Sequence, residues 1–366
     1  MSTNLSEFVS KQVLSSINSK QLQTIIKKKE FDQILRTFQK IMTLQDTYRT
    51  GWKDRELPFK ITENDSQHTY TVSILNLLSR AAFKQSLESQ LIGLKEGLVH
   101  EFGESSPGIK GTDWTPFSSI KQDEKHSKEK KIVISTLSEL PIKSRKSVFQ
   151  YWKDFEDPKL GVFSKQIDKL ETYLRSQILL TSKEHWLSKK ITSTPRLIGK
   201  TISEGLDEFE DYTEEKMISE ELKNLFYNAK NSFNQLKTGI PSEEVIKQMN
   251  SVIKSYLVYE KFKFINTDNT DRPNEKVADI LFARTVLAFL INEEFEIFND
   301  NDLLRAGLNP EIGLRPTYSK IVIDHPFFKH NLKDEYQTLS VPNNSKEIII
   351  IKDLEKMTHI IPKYVK

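Results

Sequence analysis

The sequence predicts an all-α protein. Most of its long segments repeat apolar residues at helical spacing, Gly, Pro or polar clusters separate those segments, and only one β-branched run, Ile348–Ile351, has the look of a strand. In chain order, Phe31, Ile34, Leu35, Phe38, Ile41 and Met42 keep a helical period, and Gly51 in Tyr48–Trp52 is the expected stop. Val72, Leu75 and Leu78, with Ile74 and Leu77, mark a second helix that begins near His68, and Leu91, Leu94 and Leu98 mark a third that ends at His100–Glu101. Asp113–Pro116 reads as a loop. Lys121 to Leu140 is a charged helix, Ser144 to Phe155 another, and Phe163, Ile167, Leu170 and Leu174 another, with Asp168 at the edge of its apolar stripe. Thr192–Pro195 is expected as a loop and Leu206 to Tyr227 as one more helix. Gly239–Pro241 is a turn, with Ser242 as the N-cap of the helix that follows. Asn266 to Asn274 is a polar linker. Val277, Ile280, Leu281, Leu287, Ile291 and Phe295 form a strongly apolar helix that suits a core or a dimer interface.

Composition narrows the function. The 366 residues are 37% hydrophobic and 29% charged, which suits a folded soluble chain. A net charge of +3 is too small to point to nucleic acid or an anionic membrane as partner. There is no cysteine, so disulfides, thiolate metal sites and Cys nucleophiles are excluded, and any metal must be held by His, Asp or Glu. No apolar run reaches the length of a membrane span, and Met1 to Ser19 lacks the apolar core of a secretory signal. A cytoplasmic protein is the expectation.

The most informative stretch is Gly97–Glu104, where a histidine stands beside a carboxylate that is repeated three residues on. Upstream, Glu63–His68 ends in a second histidine, and downstream Asp168 lies on a helix. Two histidines and two carboxylates on separate apolar helices suit a hard or borderline divalent cation. Each residue also has a plainer reading. Glu101 would serve as a surface charge, Asp113 as a turn residue before Pro116, Arg49 as a cation at a helix end, and Trp52 as packing. Asp324–His325 also spells an acid–His pair, in a loop before Pro326, where chance explains it.

Several motifs follow one another in order. Arg49–Trp52 is an Arg-Thr-Gly-Trp turn, Glu63 and His68 make a Glu-x-x-x-x-His segment, and Leu98–Glu104 is Leu-Val-His-acid-x-x-Glu. Gly111, Asp113 and Pro116 form a Gly-x-Asp-x-x-Pro loop, followed by Asp123–His126, Tyr151–Glu156 and Lys165–Glu171. From about Phe31 to Tyr227 this series resembles the HD-domain phosphohydrolases, and among them the small 5'-deoxynucleotidase branch. The resemblance implies an HD-type helical bundle over 31–237, after an N-terminal extension over 1–30 and before a mainly helical C-terminal region over 238–366 whose role it leaves open. It implies a divalent cation (Mn, Co, Mg, Fe or Zn, not distinguished) on His68, His100, Glu101 and Asp168. It makes Glu104 and Asp113 the catalytic carboxylates and Arg49 the group that holds the substrate phosphate. The implied reaction is hydrolysis of a (deoxy)nucleoside 5'-monophosphate, a small-molecule substrate, with no nucleic acid or membrane partner and with a homodimer left open.

Two departures from the family pattern matter. The pair at the centre is His-Glu rather than His-Asp, one methylene longer. The stretch between Glu104 and Asp113 is also long, and carries Pro107 and Gly108. Both keep an alternative in view, a catalytically degenerate HD fold acting as a binding or scaffold module.

Overall fold

The computed structural model describes residues 17–105, 122–267, 273–312, 321–329, 339 and 346–360. Helices α1 (Lys20–Ile25), α2 (Lys29–Ile41) and α3 (Thr50–Lys53) lead into the long α4 (Asp65–Ala82). Then come α5 (Leu87–Val99), α6 (Gln122–Leu137), α7 (Ile142–Glu156) and α8 (Val162–Leu180). The remainder is α9 (Ile202–Lys216), α10 (Glu220–Lys237), α11 (Ser242–Gln248), α12 (Ser251–Glu260), α13 (Val277–Phe295), α14 (Asp300–Leu308) and α15 (Lys346–Ile360). The described residues contain no sheet, only isolated bridges such as Tyr48 with Asn64. The all-α expectation holds.

α4 is the axis of the molecule. Residues Asp65 to Arg80 are all buried, because α5, α8, α12 and α13 pack around it. Its start is fixed by a capping box, in which the Gln67 amide N–H donates to Asn64 Oδ1 at 2.9 Å and the Asn64 N–H donates to Gln67 Oε1 at 3.4 Å. Asp279 on α13 locks this turn from outside, accepting from Asn64 Nδ2 at 2.9 Å, Ser66 Oγ at 2.5 Å and Gln67 Nε2 at 2.9 Å. α5 lies close against α4 at Gly97, where a Cβ would stand 2.7 Å from Ser73 Cα. Residues from both sides of position 237 enter one hydrophobic core, α12 and α13 reaching α4 directly.

Four local expectations need correction. Gly51 does not end a helix. α2 stops at Ile41 and tightens into a 3-10 turn over Met42–Gln45, the chain extends where Tyr48 pairs with Asn64, and Gly51 lies inside α3. Leu206–Tyr227 is two helices, because Gln166 Oε1 takes the amides of Ile218 and Ser219 at 2.5 and 3.0 Å, and Ser219 then caps α10. Ser242 is the first residue of α11 and Pro241 its N-cap. Ile348–Ile351 is helical, with Ile350 and Ile351 turned into the core beside Leu354 and Met357 while Ile349 stays exposed. Tertiary packing outweighs β-branched preference there. Of the two roles expected for α13, core and dimer interface, burial from Val277 to Asn292 within this chain shows core. The polar linker is described only at its ends, where the Thr267 N–H donates to Glu275 O at 2.9 Å.

Candidate metal centre

The first turn of α4, the end of α5 and the middle of α8 meet at His68. Its side chain has no exposed surface, and both ring nitrogens are engaged. Nδ1 lies 2.7 Å from Glu171 Oε2, and Nε2 lies 2.9 Å from Asp168 Oδ1 and 3.6 Å from Glu101 Oε1. Asp168 and Glu171 share a face of α8 because residues three apart on a helix are neighbours.

His100 comes in from the other side. α5 ends at Val99 and tightens into a 3-10 turn over His100–Glu104, so that successive residues of the motif turn inward. His100 Nδ1 donates to Gly97 O at 2.7 Å. That bond keeps a proton on Nδ1, so that whenever the ring is neutral its lone pair is on Nε2. This atom is buried without a hydrogen bond and lies 3.3 Å from Glu101 Oε1, with the His68 and His100 ring centroids 5.3 Å apart. Phe155 packs against the His100 ring at 5.1 Å.

Carboxylates and cations crowd the same place. Glu101 Oε1 accepts from Arg49 Nη1 in a very close contact, and Arg49 also stands 4.0 Å from Asp65. Glu104 is buried one turn on, with Lys125 Nζ 3.9 Å away. Lys169 Nζ donates to Asp168 Oδ2 at 2.7 Å. Burial alone would raise the Glu101 carboxyl, but His100 and Arg49 outweigh it and hold it below the usual range. Asp168 is likewise held well below its ordinary value, Lys169 and His68 overcoming burial. Burial and Arg49 push the His68 ring down, yet Glu171 and Asp168 prevail and raise it to about 9.

The donor set fits a divalent cation. One ligand atom each from His68, His100 and Glu101 lies within 4.8 Å of the others, and all three residues are buried. Asp65, Glu101 and Glu104 form a second such group on the adjoining side. Five of the seven residues singled out in the sequence, His68, His100, Glu101, Asp168 and Arg49, therefore converge directly, and Glu104 adjoins them. Asp113 lies outside the described residues. The sequence reading missed Glu171, although its i,i+3 spacing from Asp168 was a signal. It also gave Asp65 no role, and for Lys263, which reaches Glu171 from beyond α12, it held no signal at all.

A helical bundle built around a buried histidine–carboxylate cluster defines a class of protein, and the comparisons agree with it. An HD domain family model matches residues 41–204. The chain is 30% identical over 152 residues to the 5'-deoxynucleotidase HDDC2 of Dictyostelium discoideum, covering 37% of this chain and 70% of that protein. The mouse protein of the same name is 27% identical over 145 residues, covering 39% of this chain and 68% of its own. This chain belongs to the HD-domain family and within it resembles the 5'-deoxynucleotidase branch. No helix among the described residues is long and apolar enough to cross a membrane.

Proposed function

We propose that the protein hydrolyses nucleoside 5'-monophosphates, deoxynucleotides foremost, to nucleoside and phosphate in a metal-dependent reaction. The observation that carries this reading is the convergence of His68, His100 and Glu101 within ligand distance of one another, with Asp168 on His68, in a chain related to 5'-deoxynucleotidases. These four residues would hold the cation. When bound, it would polarise the phosphoryl group and lower the pKa of a water.

The chain's own groups supply the rest. Water adds to phosphorus, the bond from phosphorus to the 5' oxygen breaks, and that oxygen takes a proton. Glu104, buried beside Lys125, is the carboxyl placed to give or take that proton, and Asp113 keeps its expected role as a second one. Arg49 is the phosphate ligand. Its planar fork matches two phosphate oxygens, and its contact with Glu101 keeps it at the edge of the cluster. Lys125 and Lys169, partly exposed, add positive charge where a dianion would sit.

Phosphate release from a panel of ribo- and deoxynucleoside monophosphates, with Mn, Co or Mg, tests this reading. Release that needs metal and is lost in His68→Ala and Glu104→Ala supports it. Equal release from both variants would overturn it.

A further inference from the structure

We propose that Lys263 is a positioning residue for His68, acting through Glu171, so that the chain beyond residue 237 is part of the working site. The inference rests on the metal-centre reading above.

Glu171 divides its two oxygens. Oε2 faces His68 Nδ1 at 2.7 Å. Oε1 accepts from Thr71 Oγ1 at 2.6 Å and, in a closer contact, from Lys263 Nζ, while Tyr256 Oη, whose shorter bond is to Glu260 Oε2 at 2.8 Å, stands 3.2 Å away. Two of these three groups come from the C-terminal region, Tyr256 from α12 and Lys263 from the 3-10 turn Lys261–Lys263 that follows it. Both positions lie beyond the stretch 41–204 that the HD domain model matches.

Lys263 has no exposed side-chain surface. An ammonium has three protons to donate, and here three carboxylates surround it, with Glu171 joined by Glu63 Oε2 at 2.7 Å and Glu260 Oε2 at 3.1 Å. The same Glu63 accepts from Trp52 Nε1 at 2.7 Å. A buried cation so placed fixes the Glu171 carboxylate in one orientation. That carboxylate in turn holds the proton on His68 Nδ1 and turns Nε2 toward His100, Glu101 and Asp168. Hydrogen-bond partners of this kind set the tautomer and ring orientation of a metal-binding histidine, and their loss weakens metal affinity about 10–100-fold. Without Lys263, Glu171 and Glu63 would face each other with one cation fewer, and Oε1 of Glu171 would be held chiefly by Thr71.

The experiment is calorimetric titration of the full-length protein with Mn²⁺ alone. Lys263→Met is expected to lower Mn affinity about 10–100-fold, and Tyr256→Phe to lower it less, in the same direction. The control is Lys95→Met. Lys95 is another buried lysine, paired with Glu293 and Asp300 at 2.6 Å; its loss should reduce stability and leave Mn affinity unchanged. If Lys263→Met loses its far-UV helical signal, Tyr256→Phe alone decides. Wild-type Mn affinity in both variants, with His68→Ala binding none, would overturn the role of Lys263 while sparing the metal centre. A wild-type chain that binds no Mn would overturn both.

Discussion

Acid should destabilise this protein through a histidine far from the metal centre. His325 sits just before the turn at Pro326–Lys329 and is 1% exposed. Its Nδ1 accepts from the Phe327 amide at 3.2 Å, so the neutral ring carries its proton on Nε2, which faces Thr181 Oγ1 at 2.9 Å. The Thr181 hydroxyl can then donate to Gln177 O at 2.6 Å, and each group has a partner. Protonating Nδ1 would set two N–H groups against each other. Burial pushes the ring down to about 3, against the opposing pull of Asp324. In the unfolded chain it would titrate near 6.5. Between those values the unfolded state binds the extra proton, so the stabilisation is complete above about pH 6.5 and is lost as pH falls. At pH 5 the loss from this one group is about 2 kcal/mol relative to pH 7.5. Urea unfolding of wild type and His325→Asn at both pH values measures it. The Asn side chain keeps an acceptor for the Phe327 amide and cannot titrate. The variant should lose about 2 kcal/mol less on acidification, and an identical loss in both proteins would refute the reasoning.

Three further outcomes follow from the packing and the site. Gly97→Ala should cost about 1–3 kcal/mol, since its Cβ would press on Ser73 Cα at 2.7 Å; an unchanged urea midpoint would contradict the close α4–α5 approach. Asp279→Ala removes the acceptor of Asn64, Ser66 and Gln67 and should cost about 3 kcal/mol or more, as several buried donors lose their partner; a thermal midpoint within a degree of wild type would count against that lock on α4. Mn²⁺ at about 100 times its dissociation constant should stabilise the wild type by about 2.7 kcal/mol, and His68→Ala should show no such gain in a thermal scan with and without EDTA.

The fold class was legible in the sequence for a physical reason, and most of the candidate site through an order of motifs that resembles the HD-domain phosphohydrolases. Helical periodicity reports which face of a segment is buried, and His68, His100 and Asp168 stand on or beside such faces. What periodicity does not encode is the source of a partner. Ile348–Ile351 looked like a strand because β-branched residues favour one, yet Ile350 and Ile351 fit a helical stripe with Leu354 and Met357. The break between α9 and α10 depends on the Gln166 side chain, 52 residues away from Ile218, and its one local signal is the Ser219 cap followed by Glu220 and Glu221. Lys263 reads as a surface lysine in Lys261–Phe262–Lys263, and its burial follows only from three carboxylates gathered by distant helices. The pairing of Arg49 with Glu101 was likewise hidden. The longer Glu side chain at 101 lies within reach of Arg49, His68 and His100 together, which gives the His-Glu departure a geometric setting.

The most direct test of the metal centre is a crystal of the protein grown with Mn²⁺ and measured for anomalous scattering. The account predicts one strong peak at bonding distance from His68 Nε2, His100 Nε2, Glu101 and Asp168. No peak there, or one only at the half-buried His126, Glu129 and Glu156 group, would contradict it and leave a degenerate HD fold acting as a binding module.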